Sequence, residues 1–132
     1  MVFSVKKTPQ LSCLVVDDDI FSQAIFRTRL HELGIEDITV TGDGRAAVLA
    51  LDAMSRSPDY LICDIFMPYM DGIEFVGELW RRNYAGGLIL VTGGDHSMLK
   101  VATDIAVLKG LKVLGSFSKP VPLHSLREAI QC

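Results

Sequence analysis

Apolar residues recur along this chain in two alternating rhythms. Short runs stand at 11–16 (LSCLVV), 37–41 (DITVT), 59–63 (DYLIC), 87–92 (GLILVT) and near 112–117. Each is short for a helix and is bounded by turn residues or carboxylates, so each predicts a strand. Between them, apolar positions repeat at three- and four-residue steps. Phe26, Leu30 and Leu33 lie within 20–33, and Ala47, Ala50, Leu51 and Met54 within 44–55. Ile73, Val76 and Trp80 share one side of 72–83, and Val101, Ile105 and Leu108 fall in register over 96–110. Leu123, Leu126 and Ile130 align in a segment starting near 122. Five helices are predicted. Gly34 stops the first, the turn Gly42-Asp43-Gly44 precedes the second, Pro58 breaks the chain before the third strand, and Asp71 caps the third helix.

The order is therefore strand then helix, five times. Strands that read as continuous apolar runs between helices imply a parallel sheet covered on both faces. Right-handed crossovers narrow this to a doubly wound α/β sandwich, and the common five-strand, flavodoxin-like order 2-1-3-4-5 is expected for it. In that order a crevice opens between the carboxyl ends of strands 1 and 3. A chain of 132 residues suits one core. No internal repeat or linker interrupts it. The expected division is an N-terminal extension at 1–10 and one domain at 11–132.

Composition removes several classes of function. The chain is 49% hydrophobic and 22% charged, with a net charge of -3, so it lacks the basic face that nucleic-acid binding needs. No apolar run nears the roughly 20 residues of a membrane span. MVFSVKKTPQ carries no long apolar stretch with a cleavage site, so no secretory signal is expected. Cys13, Cys63 and Cys132 are far apart and odd in number, which fits reduced thiols in a cytoplasmic protein.

Asp17, Asp18 and Asp19 follow directly on the first apolar run. At an effective dielectric near 20, two such charges ~5 Å apart repel by about 3 kcal/mol. The predicted topology brings Asp64, at the end of strand 3, beside them. A hard divalent cation removes the repulsion, and Mg²⁺ takes a few carboxylates while keeping several waters. Asp17, Asp18 and Asp64 are the expected metal ligands. Thr92 ends strand 4 with a hydroxyl able to bond an oxyanion, and Gly93 and Gly94 leave room for a phosphoryl group. Lys119 adds a cation at the same rim. The sequence leaves the Lys119–Pro120 bond open between cis and trans. A metal, a carboxylate nucleophile, a hydroxyl and an ammonium together suit phosphoryl transfer to a carboxylate.

At these residues the sequence resembles a known family. LVVDDD, CDIFMPYMDG, LVTGG and FSKP, in this order and near these spacings, are similar to the receiver domain of two-component response regulators, over about residues 11–130. The resemblance implies that Asp64 is the phosphoacceptor and that Asp17 and Asp18 hold Mg²⁺, with the backbone carbonyl of Phe66 completing the protein ligands. Thr92, Gly93 and Lys119 then contact the phosphoryl group. It further implies a sensor histidine kinase or phosphotransfer protein as donor, and an output change on the surface of the fourth helix, fifth strand and fifth helix. Slow loss of the phosphoryl group by self-hydrolysis, no turnover of an external substrate, and room for a homodimer are expected as well.

Three features depart from the family pattern. Phe66, two residues past the acceptor, has no polar group to direct a hydrolytic water. Ser116, three residues before Lys119, stands where many receivers carry an aromatic switch residue. Phe117 is one position off and should face the other side of the strand. Finally, AVLKGLKVLGSFSKPVPLHSLREAI resembles receivers joined to EAL-type cyclic-di-GMP phosphodiesterase domains, which suggests a receiver cut from a longer protein ahead of such an output domain.

Plainer roles cover the remaining polar residues. Asp19 and Asp71 are expected as helix caps, Met67 and Met70 as packing, and His31, His96 and His124 as residues without a metal role. Asp17-x-Asp19 mimics a haloacid-dehalogenase phosphatase, but the chain is short for one and the MPYMDG loop is left unexplained. A flavodoxin-type module would need a first loop that welcomes phosphate, and this one is anionic. A degenerate receiver acting only by protein binding would lack core residues that are all present here.

Overall fold

The structure, a computed structural model, describes residues 10–130. The chain runs β1 (Ser12–Val16), α1 (Ile20–Glu32), β2 (Asp37–Thr41), α2 (Gly44–Ala53), β3 (Tyr60–Asp64), α3 (Gly72–Arg81), β4 (Gly87–Thr92), α4 (His96–Leu108), β5 (Lys112–Ser118) and α5 (Leu123–Ile130). All five strands pair in parallel, in the order β2-β1-β3-β4-β5. Both the alternation and the strand order match the expectation from sequence. The expected extension at 1–10 lies outside the described residues apart from Gln10, as does Cys132.

Period-two alternation divides the core between the two sheet faces. Leu14, Val16, Leu61, Cys63, Leu88 and Leu90 meet Ala47 of α2, Phe75, Val76 and Leu79 of α3, and Ala102 and Ala106 of α4. The intervening Cys13, Val15, Ile62, Ile89 and Val91 meet Phe26 and Leu30 of α1 and Leu126 and Ile130 of α5. Because both faces are buried, successive interior positions of β1, β3 and β4 are apolar whichever face they meet, which is why they read as unbroken runs. Cys13 and Cys63 are buried free thiols, and burial raises both well above the ordinary thiol range.

Four helices start on an aspartate that ends the preceding turn. Asp19 accepts from Phe21 N–H, Asp43 from Ala46, Asp71 from Glu74 and Asp95 from Ser97. Each satisfies an orphan amide and places negative charge at the positive end of the helix. Asp19 and Asp71 thus take the capping roles expected of them.

Two packing expectations need correction. Val101 and Leu108 do not line the buried face of α4; they are 45% and 86% exposed, and Leu99, Ala102 and Ala106 face the core instead. Leu99, Ala102 and Ala106 stand at helical spacing i, i+3, i+7, a stripe offset from the one through Val101 and Leu108. Trp80 is likewise half exposed, with its ring centroid 4.3 Å from Lys109 Nζ. β5 also carries an extra residue. Leu88 pairs with Val113 and Ile89 with Gly115, so Leu114 forms a bulge. Leu114 and Phe117 pack on the α1/α5 face, and the Phe117 ring occupies the space a Cβ on Gly115 would need.

Candidate functional site

The register of β1 on β3 sets Val16 beside Cys63, so the next residues, Asp17 and Asp64, leave the sheet as neighbours. By alternation both continue the α1/α5 face. Asp17 is fully buried and Asp64 only 4% exposed. Asp18, one position on, turns out to solvent but returns a carboxylate oxygen to the pair. One oxygen from each of Asp17, Asp18 and Asp64 lies within 4.8 Å of the others.

Lys119 closes the pocket from the adjacent loop. Its Nζ donates to Asp17 Oδ2 at 3.0 Å and to Asp64 Oδ2 at 2.8 Å. The backbone that carries it is anchored, since Lys119 N–H donates to Thr92 O at 2.8 Å. The Lys119–Pro120 bond is cis. The other oxygens of the two carboxylates are fixed by backbone amides. Asp19 N–H donates to Asp17 Oδ1 at 2.9 Å, and Phe66 N–H to Asp64 Oδ1 at 3.0 Å. Burial raises the Asp17 carboxyl above its ordinary range, against the opposing pull of the Asp19 amide and Lys119. For Lys119, burial works to lower the ammonium, but its contacts with Asp64 and Asp17 prevail and the net shift is upward.

Thr92 is fully buried at the end of β4, and its Oγ1 accepts from Gly94 N–H at 3.1 Å. A Cβ on Gly93 would stand 3.5 Å from Lys119 Cε, so this glycine borders the lysine directly. Ser116 is not part of the pocket. Its hydroxyl meets Thr103 Oγ1 on α4 at 2.6 Å, while Phe117 faces the opposite side of the sheet, as the strand alternation predicts. Ser118 Oγ, two residues along, lies 3.1 Å from His96 Nδ1.

Two residues of the first turn of α1 escaped the sequence reading. Ser22 Oγ accepts from Lys119 Nζ at 3.2 Å and donates to Asp19 Oδ2 at 3.1 Å. Gln23 Nε2 donates to the Asp17 backbone carbonyl at 2.6 Å. The available signal was the spacing Asp19-x-x-Ser22, which puts a capping carboxylate and a hydroxyl on one side of the helix.

Hard oxygen donors converging on one point, with an ammonium beside them, fit a small divalent cation of the Mg²⁺ kind. The donor set contains no soft ligand that would favour another metal class.

Comparison with known proteins places these features in context. The family model described as the response regulator receiver domain matches residues 13–131. A probable chemotaxis protein CheY from Rhizobium etli is 30% identical over 127 residues, covering 92% of this chain and 91% of that protein. The cyclic di-GMP phosphodiesterase RocR of Pseudomonas aeruginosa is 28% identical over 116 residues. That match covers 88% of this chain but only 29% of RocR. Among solved structures, a response regulator from Colwellia psychrerythraea superposes with a TM-score of 0.75 at 28% identity, covering 89% of this chain and 91% of that one.

Proposed function

This chain belongs to the response regulator receiver family and is a phosphorylatable signalling switch; from that premise we propose that Asp64 is the residue that carries the phosphoryl group. The observation that carries this assignment is the Lys119 ammonium held between Asp17 and Asp64, at 3.0 and 2.8 Å. An oxygen of Asp64 attacks phosphorus, the bond from phosphorus to the donor atom breaks, and the leaving group departs with that electron pair. Lys119, already in contact with Asp64, neutralises charge that spreads over the phosphoryl oxygens. Thr92, Gly93 and the Gly94 amide border the space where those oxygens would lie. The amide of Phe66 keeps the Asp64 carboxylate oriented. Asp17, Asp18, Asp64 and the Phe66 carbonyl would hold Mg²⁺, which supplies further charge neutralisation when bound.

Receiver domains interact with kinases and with output domains. For this chain we assign a histidine kinase or phosphotransfer protein as donor, and α4, β5 and α5 as the surface that changes. The proposal extends to an attached phosphodiesterase output on the likeness of AVLKGLKVLGSFSKPVPLHSLREAI to receivers of that kind; the match itself covers 29% of RocR. No helix among the described residues is long and apolar enough to cross a membrane, and we place the switch in the cytoplasm. No observation favours a phosphatase acting on external substrates.

Incubation with acetyl phosphate and Mg²⁺, followed by intact-mass measurement, tests the assignment. The expected result is a gain of about 80 Da, one phosphoryl group, that is absent in Asp64→Asn. A chain that takes no adduct would instead be a receiver that acts by binding alone.

A further inference from the structure

One member of the Asp17–Asp18–Asp19 triplet has no part in the carboxylate cluster. Asp19 Oδ1 caps α1 by accepting from Phe21 N–H at 3.0 Å, which leaves Oδ2 for another partner. That partner is Ser22, whose hydroxyl donates to it at 3.1 Å. A serine hydroxyl has one proton and two lone pairs. With its proton committed to Asp19, Ser22 presents only lone pairs to its other neighbour, the Lys119 ammonium at 3.2 Å.

An ammonium has three donors, and each finds one acceptor here: Asp64, Asp17 and Ser22. The three acceptors have different fates under the proposed chemistry. Asp64 is spent on phosphorus, and Asp17 is shared with the cation. Ser22 is committed to neither, and its lone pairs are held in place by Asp19. We infer that Asp19 and Ser22 form a positioning pair that keeps Lys119 at the reaction centre when its two carboxylate partners are drawn into chemistry. This rests on the assignment of Asp64 as phosphoacceptor. Neither residue touches the transferred group; both act through the lysine.

The test compares wild type, Ser22→Ala, Ser22→Thr and Asp19→Asn in acetyl phosphate labelling followed by mass. Ser22→Ala should lower the maximal labelling rate roughly ten- to a hundredfold, the loss of one hydrogen bond to a charged group. The Mg²⁺ concentration for half-maximal rate should stay the same, since Ser22 is not a proposed ligand, and the drop in the unfolding midpoint should leave the domain folded at the labelling temperature. Ser22→Thr keeps the hydroxyl and should restore the rate. Asp19→Asn keeps an oxygen for the Phe21 cap but turns an NH2 donor toward Ser22, where it competes with Lys119 for the hydroxyl lone pairs, so its rate should fall at least as far as that of Ser22→Ala.

A second readout needs neither Mg²⁺ nor donor. The Lys119 ammonium should give a protected ¹H–¹⁵N cross-peak in the metal-free wild type and a shifted, faster-exchanging one in Ser22→Ala, where only the bonds to Asp17 and Asp64 remain. Equal labelling rates and an unchanged cross-peak in Ser22→Ala would overturn the inference while leaving Asp64 as acceptor. A wild type that takes no label at all would sink the Asp64 assignment and the inference together.

Discussion

The hydroxyls of Thr103 on α4 and Ser116 on β5 lie 2.6 Å apart. Thr103 has already given its one proton to the Leu99 carbonyl at 2.7 Å, so Ser116 is the donor between them. A strand position where many receivers carry an aromatic is thus a polar tie to the helix. Ser116→Ala should cost about 1 kcal/mol in urea unfolding. It should also speed amide exchange in α4 more than in the central strands. Thr103→Val also removes the bond to the Leu99 carbonyl and should cost more, and the double variant should cost little more than Thr103→Val, because the bond to Ser116 is lost in both single variants.

Phe66 lends its amide to Asp64 while its ring is 45% exposed. An aromatic side chain cannot orient a water toward the acyl phosphate. Phe66→Asn supplies an amide that can. The phosphorylated form should then decay roughly tenfold faster, measured as loss of the mass adduct after removal of the donor. Equal lifetimes would show that this position has no influence on hydrolysis.

Burial of Asp17 sets the pH response of the metal-free protein. Its folded carboxyl lies above the ordinary value of 3.8, so the folded state binds a proton that the unfolded chain has released. The stabilisation is full at low pH and is lost as pH rises through the raised folded value. Lys119 is also raised, so its contribution persists through neutrality and is lost only above 10.5. In EDTA, the unfolding midpoint should fall as pH climbs from 4 toward neutrality, and Asp17→Asn should flatten that slope. Mg²⁺ at a hundredfold excess over its dissociation constant should recover about 2.7 kcal/mol at neutral pH.

Gly72 donates its amide to Ile65 O at 2.9 Å, closing the loop that follows Asp64. A Cβ there would come within 2.7 Å of Ile65 Cα, a backbone atom with little room to yield. Gly72→Ala should destabilise the fold by about 2 kcal/mol and slow phosphorylation by displacing the acceptor loop. Gly77, within α3, has nothing near its Cβ direction. Gly77→Ala should instead stabilise by about 0.5 to 1 kcal/mol, and chemical denaturation of the two variants gives the comparison.

The topology and the acidic pocket were legible because both arise from short-range rules. Buried parallel strands must be apolar on both faces, and a crevice forms wherever the strand order reverses. Asp17, Asp64 and Lys119 could therefore be placed together from strand ends alone. What escaped depends on fit. Periodicity marks an apolar stripe on α4 through Val101 and Leu108, but a second stripe at helical spacing, Leu99, Ala102 and Ala106, is the one that is buried. The link from Asp19 through Ser22 to Lys119 joins residues almost a hundred positions apart; the spacing Asp19-x-x-Ser22 hints at its near half, and nothing local marks the contact with the lysine. The bulge at Leu114 had one faint sign, Gly115 inside a strand.

The bulge bears on how the domain tolerates changes in length. Leu88 faces Val113 and Ile89 faces Gly115, so excising Leu114 would make two already matched pairs consecutive and leave everything downstream in phase. Such an edit empties the space that the Leu114 side chain fills over Gly87, yet it keeps Ser116 toward α4 and Lys119 at its post. Among edge-strand positions, this is one where a single-codon deletion trims packing without moving the chemistry.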